Sequence, residues 1–175
     1  MTLFPHTRLH LPDPHPNVTA VSELPTAHGL VWVASVELQR LHVGTFENDG
    51  NGAATEFVPY DTSVYGEHEF EAFAAACLRD GAPVSAERVI ELLVEEYDTA
   101  LMVREVSGHT GTYVRQVRGG RTVGYSEAEN RPVTRAGRLE LARQLAPRPI
   151  HGRDAITWEM WTGERWQPLP IPLYD

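Results

Sequence analysis

Residues 29–58 read GLVWVASVELQRLHVGTFENDGNGAATEFV, and their alternation decides the fold class. Leu30 to Leu38 is rich in β-branched and aromatic side chains, the composition of a strand. Leu30, Trp32, Ala34, Val36 and Leu38 share one wholly apolar face, while Val31, Val33, Ser35 and Glu37 share a mixed one. Side chains alternate with a period of two, so the first face should meet a core. Arg40 to Phe46 alternates again, which makes the Gln39-Arg40 junction a tight hairpin rather than part of one long bent strand. Ala54 to Val58 resumes the pattern after a break.

That break, Glu47 to Gly52, holds Asp49-Gly50 and Asn51-Gly52, two dipeptides suited to positive φ. It has a cation-loop reading. Glu47, Asp49, Asn51 and Gly52 stand where positions 1, 3, 5 and 6 of a calcium loop would be. Position 12 is Val58, where a bidentate Glu is needed, and strand rather than helix follows. The loop therefore reads first as a hairpin turn, with Glu47, Asp49 and Asn51 as candidate metal ligands behind it.

A chain of 175 residues, 42% hydrophobic and 22% charged, has the composition of a folded globular protein. No apolar run reaches the ~20 residues that span a bilayer. The first residues show no basic start with an apolar h-region, so a cytoplasmic location is expected by default. The lone Cys77 fits a reducing compartment and reads as an inert buried thiol beside Phe70, Phe73 and Ala74.

The net charge of −9 is unevenly spread: residues 1–114 carry 5 Arg and 17 acids, and residues 115–153 carry 9 Arg and 3 acids. All 15 basic residues are Arg. A GC-rich bacterial, plasmid or phage genome produces that bias without selection, although Arg also suits bidentate bonds to carboxylate and phosphate.

Residues 1–28 carry five prolines, which exclude a long helix. They read as a proline-rich extended arm with an edge strand near Val18 to Leu24, ahead of one domain over residues 29–175. Glu67 to Arg79 reads as a helix with Phe70, Phe73, Ala74, Cys77 and Leu78 inward. Ser85 caps a second helix to about Tyr97, whose end is crowded by Glu95, Glu96 and Asp98, against the helix dipole. Ala100 to Val106, Thr112 to Arg118 and Arg121 to Tyr125 read as a three-strand meander. Thr134 caps a third helix to about Ala146, with Ala136, Leu139, Ala142 and Leu145 inward. Ala155 to Trp161 and Trp166 to Leu169 read as a final hairpin. The fold class is α+β: mainly antiparallel sheet, built from hairpins and a meander, with three amphipathic helices.

The sequence contains no G-x-S-x-G, H-E-x-x-H or C-x-x-C, and its glycines fit no Walker A or dinucleotide fingerprint. Three functional classes remain. The first is a non-enzymatic interaction protein, a small acidic accessory subunit or inhibitor in a bacterial or phage system. Its partner would be a protein, and Trp158, Trp161 and Trp166 are its candidate interface. The second is a nucleic-acid or phosphate binder using Arg115, Arg118, Arg121, Arg131, Arg135, Arg138 and Arg143, with Tyr113 and Tyr125 stacking on bases. The third is a small hydrolase drawing on His42, Asp49, His68, Glu95 and Glu96. No cofactor and no membrane association are implied.

Overall fold

A computed structural model describes residues 1–27, 29–107, 111–145 and 156–171. The chain divides into two compact units, Met1–Thr99 and Ala100–Asp175, where the sequence reading has an arm and one domain. In the first unit the elements run β1 (Thr2–Leu3), β2 (Leu9–Leu11), β3 (Pro16–Pro25), β4 (Leu30–Leu38), β5 (Leu41–Asn48), β6 (Glu56–Pro59), α1 (Glu67–Ala75), β7 (Leu78–Arg79), β8 (Ala82–Pro83) and α2 (Ala86–Ser107). The boundary falls within α2. The second unit continues with β9 (Thr112–Arg118), β10 (Arg121–Ala128), α3 (Arg135–Leu145), β11 (Ile156–Trp161) and β12 (Trp166–Pro168). The class is α+β, with three antiparallel sheets and three helices.

The quoted stretch forms the centre of a four-strand meander, β3-β4-β5-β6. Its register carries Val18, Val36 and Gly44 in one row, and Val21, Ala34, Phe46 and Phe57 in the next. These positions face the core, where Ala34, Val36 and Phe46 are fully buried. Helix α1 supplies Phe70, whose ring lies 5.4 Å from Phe46 and 5.1 Å from Phe57. A side chain at Gly44 would place its Cβ 2.7 Å from the Phe57 ring, so glycine makes the seat for that ring. Tyr65 closes the cluster against Phe57 at 5.7 Å, and its hydroxyl has no hydrogen-bond partner among the described residues.

The β4–β5 connection is the expected hairpin, with Gln39 and Arg40 both at positive φ (52° and 70°). A two-residue turn of this kind matches the twist of its strands but favours Asn and Gly. The Glu47–Gly52 loop also turns through positive φ at Gly50 and Gly52. β3 is an edge strand, as the Val18–Leu24 reading expects. It starts at Pro16, ends at Pro25, and shifts register between Val18 and Ala20. The remainder of residues 1–28 supplies β1 and β2, and Leu9 and Leu11 of β2 are fully buried. A second sheet, β1-β2-β7-β8, uses them.

Three expectations are corrected. Residues 100–106 are not a strand; they continue α2 to Ser107. No Gly or Pro interrupts the run from Ser85 to Ser107, and its buried positions Val89, Leu92, Leu93, Glu96, Thr99 and Val103 keep the helical period without a break. Glu95, Glu96 and Asp98 therefore sit mid-helix rather than at its negative end, and the last turn holds Arg104 beside Glu105. The place expected for that strand beside β9 is taken by β11, giving the order β10-β9-β11-β12.

Helix α1 ends at Ala75, one turn earlier than expected, because Leu78–Arg79 pairs with Ala82–Pro83 around Asp80 and Gly81, both at positive φ. Cys77 lies beyond the helix, fully buried, with its thiol donating to the Phe73 carbonyl at 3.4 Å. Burial pushes that thiol up to about 12. In α3 the inward residues are Leu141, Ala142 and Leu145, while Ala136 is exposed. Arg138 shares the inner stripe, three residues before Leu141.

In the second unit both faces of the sheet are covered. Val114, Met160 and Trp158 pack with α3 residues Leu141, Ala142 and Leu145; on the opposite face Tyr113, Tyr125, Trp161 and Trp166 pack with Met102 and Val103.

The aromatic cluster gives a direct expectation. Phe70→Ala should lower the unfolding free energy by about 3–5 kcal/mol in urea titrations. The strained hairpin gives the opposite one. Gln39→Asn with Arg40→Gly should raise stability by about 1 kcal/mol, read as a higher urea midpoint at unchanged slope.

Candidate functional site

The β3–β6 sheet buries one face, and what lies on its other face follows from the register. One outer row runs Ala20, Ser35, Thr45, Val58; the next runs Ser22, Val33, Glu47, Glu56. Leu24 pairs with Val31 beyond these, and Glu37 pairs with His42 at the opposite end. Leu24, Val33 and Val58 are 64%, 38% and 40% exposed. Apolar side chains thus stand in the open beside a pair of carboxylates. Glu47 and Glu56 lie directly opposite each other, a like-charge pairing that a sheet disfavours. Thr45 steadies one of them, its Oγ1 donating to Glu47 Oε1 at 2.7 Å. Glu37 accepts from His42 Nε2 at 3.0 Å.

A second constellation is buried. Glu96, on α2, reaches the turn that joins β1 to β2. Its Oε2 accepts from the Thr7 N–H at 2.8 Å, from Thr7 Oγ1 at 3.0 Å and from the His6 N–H at 3.0 Å. Glu96 and His6 are 8% and 5% exposed. Burial pushes the Glu96 carboxyl above the ordinary carboxylate range, the three donors draw it back, and Glu95 adds a smaller upward push. The arrangement fastens the N-terminal strands to α2.

The candidate hydrolytic residues occupy separate places. His42 is exposed at one end of β5 and Asp49 lies just past the other, about 20 Å away along a strand of that length. Asp49 Oδ1 accepts from the Asn51 N–H at 2.9 Å, and Asn48 Oδ1 accepts from the Gly50 N–H at 2.9 Å. These bonds shape the Glu47–Gly52 loop as successive Asx turns. His68 is exposed in the first turn of α1, where Glu69 accepts from the Gly66 N–H at 2.9 Å and caps the helix. Glu95 lies 3.7 Å from Arg88. Among the described residues no group of three His, Cys, Asp or Glu side chains is placed to hold a metal ion. His28, His109 and His151 lie outside the described residues.

The arginines divide by environment. Arg115 is 5% exposed; its Nε and Nη2 both lie 2.7 Å from Glu159 Oε2, and its guanidinium stands 4.6 Å over the Trp166 ring. Arg138 donates to Gln167 Oε1 at 2.8 Å, and Arg131 donates to the Thr162 carbonyl at 3.2 Å. Arg143 faces Glu140 at 3.7 Å. Arg118 and Arg121 are exposed and directly opposite each other across the Gly119-Gly120 turn. Arg135 is exposed on α3. Residues 146–155 of the Arg-rich segment are not among those described. Trp161 and Trp166 are 7% and 9% exposed and 5.4 Å apart, and Trp158 packs on the α3 side of its sheet. The alternation along β11 that separates the indoles in the sequence is the one observed. Tyr113 and Tyr125 pack with Trp161 and Trp166.

No protein-family model, curated protein or solved structure matches the chain. No described helix is long and apolar enough to cross a membrane. Sequence reasoning placed Val31, Val33 and Glu37 on one mixed face, but missed that Ala20, Glu56 and Val58 complete it. It also missed the link from Glu96 to His6 and Thr7, about ninety positions away, for which local spacing carries no signal.

A carboxyl raised by folding stabilises the folded state most at low pH, and that contribution is lost as pH rises from 4.5 through the folded value. The urea midpoint of the wild type relative to Glu96→Gln should therefore fall as pH rises above 4.5. A difference that is flat over this range would show that burial does not dominate at Glu96.

Proposed function

We propose that this chain is a non-enzymatic protein-binding module, a small acidic accessory subunit or inhibitor that docks a protein partner. The outer face of the β3–β6 sheet supports this reading. It combines exposed Leu24, Val33 and Val58 with Glu37, Glu47 and Glu56, in a unit holding 4 Arg against 16 acids, a net −12. Isolated exposed apolar residues are ordinary, but a run of them rimmed by one sign of charge has the composition of a docking surface. Acidic surroundings steer a basic partner toward it and reject acidic ones.

A nucleic-acid or phosphate role is the second reading, and exposed Arg118, Arg121 and Arg135 in a unit of net +3 favour it. The buried Arg115–Glu159 pair and the packed Tyr113 and Tyr125 are occupied within their own unit. The hydrolase residues have no shared location to support them.

Affinity capture from native lysate, with and without nuclease, separates these readings. A protein held stoichiometrically by the wild type after nuclease, and lost from Leu24→Asp with Val33→Asp, is the expected result. Both positions are exposed, so the variant should keep its far-UV spectrum. Nucleic acid as the sole captured species, released by salt with a steep slope, would overturn the protein-binding reading in favour of the second.

A further inference from the structure

We infer that the outer face of the β3–β6 sheet is the seat for the β9–β10 hairpin tip of a second copy of this chain. The inference rests on the protein-binding reading and names the partner for the same face.

Two like-charge cross-strand pairs carry it. Glu47 stands opposite Glu56 on the sheet face, and Arg118 stands opposite Arg121 at the hairpin tip. All four are exposed, and none makes an ion pair with another described residue. Each pairing destabilises its own sheet, and opposite charges would have repaired it. Directly opposed residues have Cα atoms about 4.5–5.5 Å apart, so the two pairs start from a matching backbone spacing. Two guanidiniums therefore meet two carboxylates without rearrangement of either strand pair, in the forked geometry that arginine favours.

The surroundings match as well. At the turn Gly119 and Gly120, at φ 55° and 77°, have no described atom within 4 Å of where a side chain would project, and β11 flanks β9 there with Ile156 opposite Arg118. Beside it Val123, at the register shift of β10, is 51% exposed. The seat offers Val33 within the glutamate row and Val58 in the row beside it. The net charges of the two units, −12 and +3, bring the seat of one copy toward the tip of another.

The test uses the full-length protein in sedimentation velocity over a concentration series, at about 0.05 M and about 0.5 M salt. The wild type should exceed its 19.5 kDa monomer mass as concentration rises, and less so at high salt. Glu47→Arg with Glu56→Arg, and separately Arg118→Glu with Arg121→Glu, should each weaken association by at least about tenfold. An equimolar mixture of the two should recover it, because each then offers the charge the other lacks. This complementation keeps the test independent of any loss of folding. A wild type that stays monomeric, variants that associate like the wild type, or a mixture that does not recover would each overturn the inference. A monomer that still captures a foreign protein through Leu24 and Val33 would leave the protein-binding reading standing; a monomer that captures nothing would overturn both.

Discussion

Phe70 packs against Phe46 and Phe57 together, and this contact commits the β3–β6 sheet to burying one face only. Offset aromatic rings give both a large apolar area and a preferred geometry, so α1 cannot shift without opening the core. Gly44 is part of the same constraint, since the Phe57 ring occupies the space beside it. The positions that alternate away from this contact point to the other face, where Val33, Glu47, Glu56 and Val58 are exposed. The row of Ser22, Val33, Glu47 and Glu56 is open because the row of Val21, Ala34, Phe46 and Phe57 is closed.

The contacts made by Glu159 and Glu96 differ in character. Arg115 and Glu159 compensate each other in register across β9 and β11, with Trp166 beneath the guanidinium. Such a pair is costly to break singly because the survivor would be left charged and buried. Glu96 has no described cation against it and depends on backbone and hydroxyl donors from His6 and Thr7. That makes the attachment of β1 and β2 to α2 a matter of hydrogen bonding rather than charge pairing.

Much of the fold was legible because it is written at short range. The alternation of β4 and β5, the stripe of Phe70, Phe73 and Ala74, and the caps were readable from spacing. Ser85 Oγ accepts from the Arg88 N–H, and Thr134 Oγ1 from the Gly137 N–H. Residues 100–106 were not readable, because Leu101, Val103 and Val106 resemble a strand locally while the preceding helix carries its period through them. The acids at 95, 96 and 98, unfavourable at the negative end of a helix stopping near Tyr97, were the local sign that the helix runs on. The outer face was half visible: β4 shows its mixed side, but the neighbours that make it a surface come from β3 and β6. The separation of two units was not read, since α2 carries its helical period through the point where it falls.

The edges of the β3–β6 sheet limit how anything can join it. β3 has proline at both ends, so neither end offers an N–H to an incoming strand, and its register breaks between Val18 and Ala20. β6, at the far edge, is four residues long and closes on Pro59. A chain seeking to add itself laterally would find no continuous ladder on either side. The sheet is thereby guarded against ribbon-like growth into fibrils, and its broad surface is left as the part that meets solvent through side chains rather than backbone.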